Sequence, residues 1–408
     1  MTTIESTQIA ISSSDACPVL AIYYHSPCSD GHAAAWAIKS HLGSLPKYFA
    51  DGAYNIMYIP SAPGCQQIDL ALFAPPGCEA WFLDLMPSYD MLKELCDRCT
   101  RVVVLDHHKT NLDICGRIHM DDFAMGGWAA NLEMVFDMKR AGCQIAWDWI
   151  TVQLPNSNVP FTLNYKPTSW FVGSNSSETL GPRHSKTHTE GWAYNRVSTV
   201  DGTPLTRPWF LEYIADRDLW TWRLPNSKLI NTALFGLKLT ITPDAIAQKL
   251  ALIQTPKEQE RYIAQELMPY ALAAEEFNNE LLRAACNKAD ECALTVPSTG
   301  QTYRIWLGTT IGSLRSDLGN QLCNKPLADG SLPDLSASWH YEFPKDEWWI
   351  SLRSLDTGAD VSAIAKEFGG GGHMCAAGFT LRAPDNLNTI FKWISTTAAT
   401  TGDTTSSQ

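Results

Sequence analysis

Positive charge is in deficit: 31 Lys and Arg stand against 43 Asp and Glu, a formal net charge of -12 over 408 residues. That excludes a general duplex-binding protein, which needs a basic face for the phosphate backbone. A phosphate-bearing substrate stays open, because a bound metal supplies positive charge locally. No apolar run approaches the roughly 20 residues of a membrane span. No Lys or Arg precedes Lys39, and the apolar stretch 17–24 runs straight into polar residues. Neither a signal peptide nor a transit peptide is predicted, and the expected compartment is the cytoplasm. The twelve cysteines form no framework, as expected of reduced thiols. Cys96 and Cys99 have metal-ligand spacing, but no second pair follows as a zinc ribbon requires. Leu92, Leu95, Cys96 and Cys99 instead recur at i, i+3, i+4 and i+7, the signature of a buried helix face. Internal repeats are also absent.

What is present is a chain long enough for two or three domains, with 45% apolar residues to fill their cores. One stretch stands out. Val102-Val103-Val104-Leu105 reads as a buried strand of a parallel sheet, followed at once by Asp106-His107-His108. Val19 to Tyr24 reads as an earlier strand, ending at His25-Ser26-Pro27-Cys28-Ser29-Asp30. A second is expected near Asn55 to Ile59, and Trp81-Phe82-Leu83-Asp84-Leu85 is a third. Helical segments lie between them, notably 88–99. Alternating strands and helices predict a doubly wound parallel α/β sheet, in which ligands bind beyond the carboxyl ends of the strands. His25, Asp84 and Asp106 all fall at such ends.

Residues 134–150 are expected to be helical. From 151 to 208 the chain is polar and aperiodic and reads as an insertion; its His184 and His188 lie in no helical pattern. Trp209 to Trp222 resumes regular structure and carries Asp216 and Asp218. The expected organisation is a disordered 1–16, a first domain over 17–255, a helical linker over 256–290, a smaller α/β domain over 291–395 and a disordered tail 396–408. In the second domain, strands are expected at Ala293 to Val296, Thr302 to Leu307, Leu335 to Glu342 and Trp348 to Leu352. A helix near Val361 ends at Gly369-Gly370-Gly371-Gly372-His373.

Carboxylates and imidazoles in this mix suit Mn²⁺, Mg²⁺, Co²⁺ or Fe²⁺. Two such ions bridged by one carboxylate clamp an in-line displacement at phosphorus. Spacing alone leaves open which residue bridges. The glycine run is longer than a helix C-cap needs, and successive N–H groups free of side chains can form an anion-binding nest. Arg353, at the end of a neighbouring strand, is placed to grip a phosphate bidentately.

Over residues 19–380, apart from the insertion, the sequence resembles the DHH phosphoesterases that carry a C-terminal DHHA1 domain. The resemblance rests on His25-x-x-Cys28-x-Asp30-Gly31, Phe82-Leu83-Asp84, Asp106-His107-His108, Ala141-Gly142-Cys143 and Asp216-Arg217-Asp218-Leu219-Trp220, in family order. Ser351-Leu352-Arg353-Ser354 and Gly369 to His373 with Ala376-Ala377-Gly378 match the DHHA1 signatures. It implies Asp84 as the bridging carboxylate, with Asp30, His107 and Asp216 as further ligands and His25 on the other metal. Asp216 is preferred to Asp218 because it aligns with the family's ligand position, and Asp218 stays open between a structural role and a ligand. His108 would face the substrate phosphate or help protonate the leaving oxygen, and Asp106 would orient a histidine by accepting its N–H. Cys28 stands where many members have an Asp; a thiolate ligand favours Zn²⁺ or Fe²⁺ over Mn²⁺ or Mg²⁺.

The implied cofactor is a pair of divalent ions, Mn²⁺ first among them. The implied activity is hydrolysis of phosphate esters in short single-stranded oligonucleotides or small nucleotides such as 3′-phosphoadenosine 5′-phosphate. The second domain would recognise the nucleotide end through Arg353, Ser354, Gly370, Gly371, Gly372 and His373. The alternatives are a cyclic or linear dinucleotide phosphodiesterase and, in another class, a nucleotide- or RNA-binding protein with a degenerate metal site. No membrane partner is expected.

Overall fold

The computed structural model describes residues 18–49, 54–62, 74–125, 129–154, 199–200, 203–204, 206–382 and 384–394. The expected tails 1–16 and 396–408, and nearly all of the insertion with His184 and His188, lie outside the described residues. The chain divides into two compact units between Ala271 and Leu272.

In the first unit, strands β1 (Val19–His25), β2 (Asn55–Ser61), β3 (Glu79–Leu83), β4 (Arg101–Asp106) and β5 (Leu132–Phe136) form one sheet in the order β2-β1-β3-β4-β5. All four pairings are parallel. Its helices are α1 (Ser29–Leu42), α2 (Tyr89–Arg98), α3 (Leu112–Met125), α4 (Gly142–Thr151), α5 (Trp209–Asp218) and α6 (Ser227–Gly236). Alternate strand residues go to opposite faces, so the sheet feeds two cores. Leu20, Ile22, Trp81, Leu83, Val103 and Leu105 pack with α1, α4, α5 and α6. Ala21, Tyr23, Phe82, Val102 and Val104 pack with α2 and α3. Coverage on both faces explains why β1 and β4 read as unbroken apolar runs rather than alternations. The doubly wound expectation holds, and Leu92, Leu95, Cys96 and Cys99 are buried as the helical spacing predicted.

One element differs. The helix expected over 134–150 is two elements: β5, then α4 from Gly142. Leu132, Met134 and Phe136 are buried while Glu133 and Val135 are half-buried, a period of two. Met134 and Met138, four apart, mimic a helical face only because one strand residue and one turn residue happen to share that spacing.

Helices α7 (Pro256–Tyr262) and α8 (Met268–Asn287) flank a π-turn at Ile263–Leu267, and the division between the units falls inside α8. The second unit has a seven-stranded mixed sheet. Its strands are β6 (Asp290–Thr295), β7 (Thr302–Thr309), β8 (Leu335–Glu342), β9 (Glu347–Arg353), β10 (Gly371–His373), β11 (Ala376–Arg382) and β12 (Phe391–Trp393). They lie in the order β10-β11-β9-β8-β7-β6-β12, with α9 (Arg315–Cys323) and α10 (Val361–Glu367) as the principal helices. No described helix is long and apolar enough to cross a membrane.

Candidate metal centre

The strand order places β2 on one side of β1 and β3 on the other. The crevice between the carboxyl ends of β1 and β3 is therefore the sheet's switch point, where open α/β sheets bind ligands. His25 closes β1, Asp84 follows β3 directly, and Asp106 closes β4. Asp84 has φ of 57°, a left-handed conformation costly for a residue with a Cβ. Its N–H donates to Leu105 O at 2.8 Å, which ties the strained turn to the neighbouring strand end.

The two Asp84 oxygens meet different imidazoles. Oδ1 lies 3.0 Å from His107 Nε2 and Oδ2 lies 3.1 Å from His25 Nδ1. His107 Nε2 also faces Asp30 Oδ2 and Asp218 Oδ2, each at 3.5 Å. Donor atoms of Asp30, Asp84 and His107 form one metal-capable group; those of His25, Cys28 and Asp84 form another. Asp84 belongs to both. Separations of 3.0–3.5 Å match neighbouring ligands around a six-coordinate ion with bonds of about 2.1 Å, for which adjacent donors lie about 3 Å apart.

Electrostatics supports the same fit. Burial pushes the Asp30 carboxyl up, and the Asp84 and Asp218 charges push it further, well above the usual carboxylate range. Asp218 is raised as well, by burial first, against the pull of His107. Burial alone would raise Asp84, but hydrogen bonds from His107 and His25 hold it well below the usual range. Burial would lower His107, yet the Asp84 hydrogen bond and the Asp218, Asp84 and Asp30 charges push it up to about 10. Two imidazoles, His107 and His25, face three carboxylates, those of buried Asp30 and Asp84 and half-buried Asp218, which leaves negative charge under-compensated, and Asp218 Oδ2 has no hydrogen-bond partner among the described residues. A divalent cation supplies what is missing. The residues fit one.

Other groups hold the ligands in place. Asp30, in the first turn of α1, accepts the backbone N–H groups of Gly142 (2.6 Å) and Cys143 (2.9 Å) at the start of α4. A carboxylate there is also favoured by the helix dipole. A Cβ on Gly142 would come 2.6 Å from Asp84 Cβ and 2.8 Å from Oδ1. This is why the Ala141-Gly142-Cys143 segment carries a glycine, a role the sequence alone left unread. Asp106 is fully buried and accepts His108 Nδ1–H at 2.8 Å and Asn111 Nδ2–H at 2.7 Å. Because an ionised carboxylate only accepts, His108 carries its proton on Nδ1 and turns Nε2 outward from that bond.

The structure brings Asp218, rather than the expected Asp216, beside His107. The Asp216 carboxylate accepts Thr221 Oγ1–H (2.5 Å) and the backbone N–H groups of Arg223 (2.8 Å) and Leu224 (3.1 Å). Those bonds close the turn containing Trp220 and Trp222, both in left-handed conformation, so Asp216 is a turn organiser. Asp218 continues the buried helical face of Leu211 and Ile214 at i, i+3 and i+7, and that phase carries it to His107.

In the second unit, Arg353 donates to Leu352 O at 2.8 Å, Ser351 Oγ at 3.2 Å and Ser316 Oγ at 2.7 Å. A Cβ on Gly319 of α9 would come 2.6 Å from Arg353 Cγ, so the helix needs glycine to lie over this side chain. Ser354 is buried and its N–H donates to Cys375 O. The glycine run departs from the expected nest. Gly371, Gly372 and His373 form β10, pairing with Gly378, Ala377 and Ala376 of β11, so successive N–H groups alternate instead of converging. A Cβ at Gly370 would strike Gly378 O at 2.0 Å and one at Gly372 would strike Ala376 O at 2.5 Å. Close strand packing accounts for the lack of side chains at Gly370 and Gly372.

No family model matches the chain. It is 23% identical over 364 residues to an uncharacterised protein of Acanthamoeba polyphaga mimivirus; the match covers 88% of this chain but 66% of that protein, just under two thirds of its length. Solved structures similar to it include an uncharacterised protein from Helicobacter pylori G27 (15% identity, TM-score 0.31, 90% and 93% of the two chains). An exopolyphosphatase-related protein from Bacteroides fragilis is 10% identical, with TM-score 0.37 over 91% and 88%. A pGpG-specific phosphodiesterase from Vibrio cholerae is 11% identical, with TM-score 0.30 over 90% and 94%. At TM-scores this low the likenesses bear on neither substrate nor reaction.

Proposed function

We propose that this chain is a metal-dependent phosphoesterase that hydrolyses phosphate esters of short oligonucleotides or small nucleotides. One observation carries the proposal: Asp84 offers one oxygen to each of two imidazoles, His107 and His25, at the switch point of the sheet. A carboxylate shared between two donor groups is what a two-ion phosphoesterase centre needs. Asp30, Asp84, His107 and Asp218 would hold one ion; His25, Cys28 and Asp84 would hold the other. The first set is oxygen-rich and suits Mn²⁺ or Mg²⁺, whereas the Cys28 thiolate would draw Zn²⁺ or Fe²⁺ to the second. Bound divalent ions supply Lewis acidity at the phosphoryl oxygens and an acidified water.

The chain's own groups supply the rest. Asp106 orients His108 by accepting its Nδ1–H, so that Nε2 is the nitrogen that would pass a proton to the leaving oxygen. The N-terminus of α4 fixes Asp30, and the Asp84–Gly142 contact fixes the shared carboxylate. Arg353, preorganised by Ser316 and Ser351, would bind a phosphate of the nucleotide, with Ser354 next to it in sequence and His373 in register with it across the intervening strand residue Ala376.

The test is hydrolysis of pApA by the full chain with Mn²⁺, Mg²⁺, Co²⁺ and Zn²⁺ in turn, alongside Asp84→Ala. Activity with at least one metal, reduced more than about 100-fold in Asp84→Ala, is expected. Activity in Asp84→Ala equal to that of the parent chain, or none in the parent with any metal, would overturn the proposal.

A further inference from the structure

The face of the second sheet that carries Arg353 continues along β9 to Ser351 and Trp349. Same-face neighbours on a strand are about 7 Å apart, two rises of roughly 3.4 Å. The Arg353 guanidinium reaches back along this line to Ser351 Oγ. On one side the floor beside Ser351 is bare, since its partner on β11 is Gly378, whose own partner on β10 is Gly371; on the other side its partner on β8 is the buried Ser338. Beyond the bare floor rises an aromatic pair. His340 of β8 is the cross-strand partner of Trp349, with ring centroids 5.9 Å apart and planes inclined by 31°.

Arg315, at the start of α9, donates to His340 Nδ1 at 3.2 Å and to Gly312 O. It has no carboxylate partner among the described residues, although it is half-buried. Accepting at Nδ1 requires His340 to be neutral and leaves a proton on Nε2 as a donor. Lys345 Nζ stands 5.6 Å from the Trp349 ring centroid and pairs with Glu342. A phosphate grip, a flat floor on the β11 side, and an aromatic pair shared with β8 and flanked by a guanidinium follow one another along β9 and its neighbours on one sheet face. That sequence of groups has the order of a phosphate, its sugar and its base.

We propose that Trp349, backed by His340 and Arg315, is the stacking seat for the base of the nucleotide whose phosphate Arg353 holds. This rests on the phosphoesterase reading and narrows it: the ligand must bear a nucleobase, which excludes inorganic polyphosphate as the preferred substrate. Base–aromatic stacking is tolerant of base identity, so the seat selects for nucleotides and not for one base.

The full chain in EDTA is titrated calorimetrically with adenosine 3′,5′-bisphosphate and with its abasic analogue, 1-deoxyribose 3,5-bisphosphate. The parent chain is expected to prefer the adenosine compound by about tenfold or more. Trp349→Leu should erase that preference while leaving affinity for the abasic compound unchanged, and Trp349→Phe should retain most of it. Arg353→Ala should weaken both ligands alike. Equal affinity of the parent for both ligands, in a chain that hydrolyses pApA, overturns the stacking seat and leaves the phosphoesterase reading standing. Loss of both ligands in Trp349→Phe as in Trp349→Leu marks a packing residue and also overturns the seat. A parent chain that binds neither ligand and hydrolyses no nucleotide overturns both.

Discussion

The two ends of the first sheet bury carboxylates in opposite ways. At the amino end, Glu79 is fully buried yet surrounded by donors: Lys47 (2.5 Å), Tyr48 (2.9 Å), Tyr54 (3.0 Å) and Trp81 (3.3 Å). Beside it Arg101 pairs with Glu133, which also accepts from Trp149. Every charge there is answered within the chain. At the carboxyl end, Asp30, Asp84 and Asp218 crowd one imidazole and push one another's protonation about. The outcomes are opposite: one end is balanced as folded, and the other leaves a charge deficit that a bound cation would fill. A buried charge cluster marks a binding site when its charges do not balance, and a structural network when they do.

That contrast can be broken from either side. The largest effect is expected from Gly142→Ala, whose Cβ displaces Asp84; metal content and phosphoesterase activity should fall by more than about 100-fold with the circular dichroism spectrum retained. Retained metal stoichiometry would mean that the Asp84–Gly142 contact is incidental. Next, Glu79→Ala leaves the Tyr48 O–H and Trp81 indole N–H without an acceptor and should cost about 2–3 kcal/mol in urea unfolding, with metal affinity unchanged.

Asp218→Asn should do the reverse, weakening metal binding roughly 10- to 100-fold while stabilising the metal-free protein by about 1 kcal/mol. Asp216→Asn, by contrast, should lower stability through the Thr221–Leu224 turn. The smallest effect is with pH. His107, raised to about 10 from 6.5, is protonated at neutral pH and must release that proton to act as a ligand. Metal affinity should therefore rise with pH by up to about tenfold per unit below 10. The His107 contribution to metal-free stability, complete below about 6.5, should decline as pH rises through 10. Calorimetry in two buffers of different ionisation enthalpy reads the released proton; no buffer dependence would refute it.

Much of this was legible in the sequence. Strands covered on both faces write continuous apolar runs, so β1 and β4, and with them the positions of His25 and Asp106, could be read directly. His107 and Asp84 followed from the strand ends. What stayed illegible depends on helical phase or close approach. Asp216 and Asp218 are two residues apart at the end of one helix, and burial does not decide between them: Asp216 is the more buried, yet its carboxylate is taken up by the turn that follows, while Asp218 reaches His107. Gly142 faces a residue 58 positions earlier, which local pattern cannot anticipate. The glycine run was read as a nest because its strand partner, Ala376 to Gly378, lies across a tight hairpin. The helix expected over 134–150 concealed β5 because two methionines mimicked its period.

The bonds from Gly142 and Cys143 to Asp30 join positions 112 and 113 residues apart, whereas His107 and Asp84 are separated by 23. Loop-closure entropy grows with the logarithm of that separation, and non-local contacts are the slow ones to form. The centre therefore assembles in two stages during folding: a local half built on adjacent strands, and a distant half that waits for α4 to dock. Ion capture becomes a clock for the last long-range contact. In stopped-flow refolding with a metal-sensitive dye, uptake should lag the burial of β3 and β4 and coincide with α4 docking. Uptake at the earlier step would show that the nearby pair alone suffices.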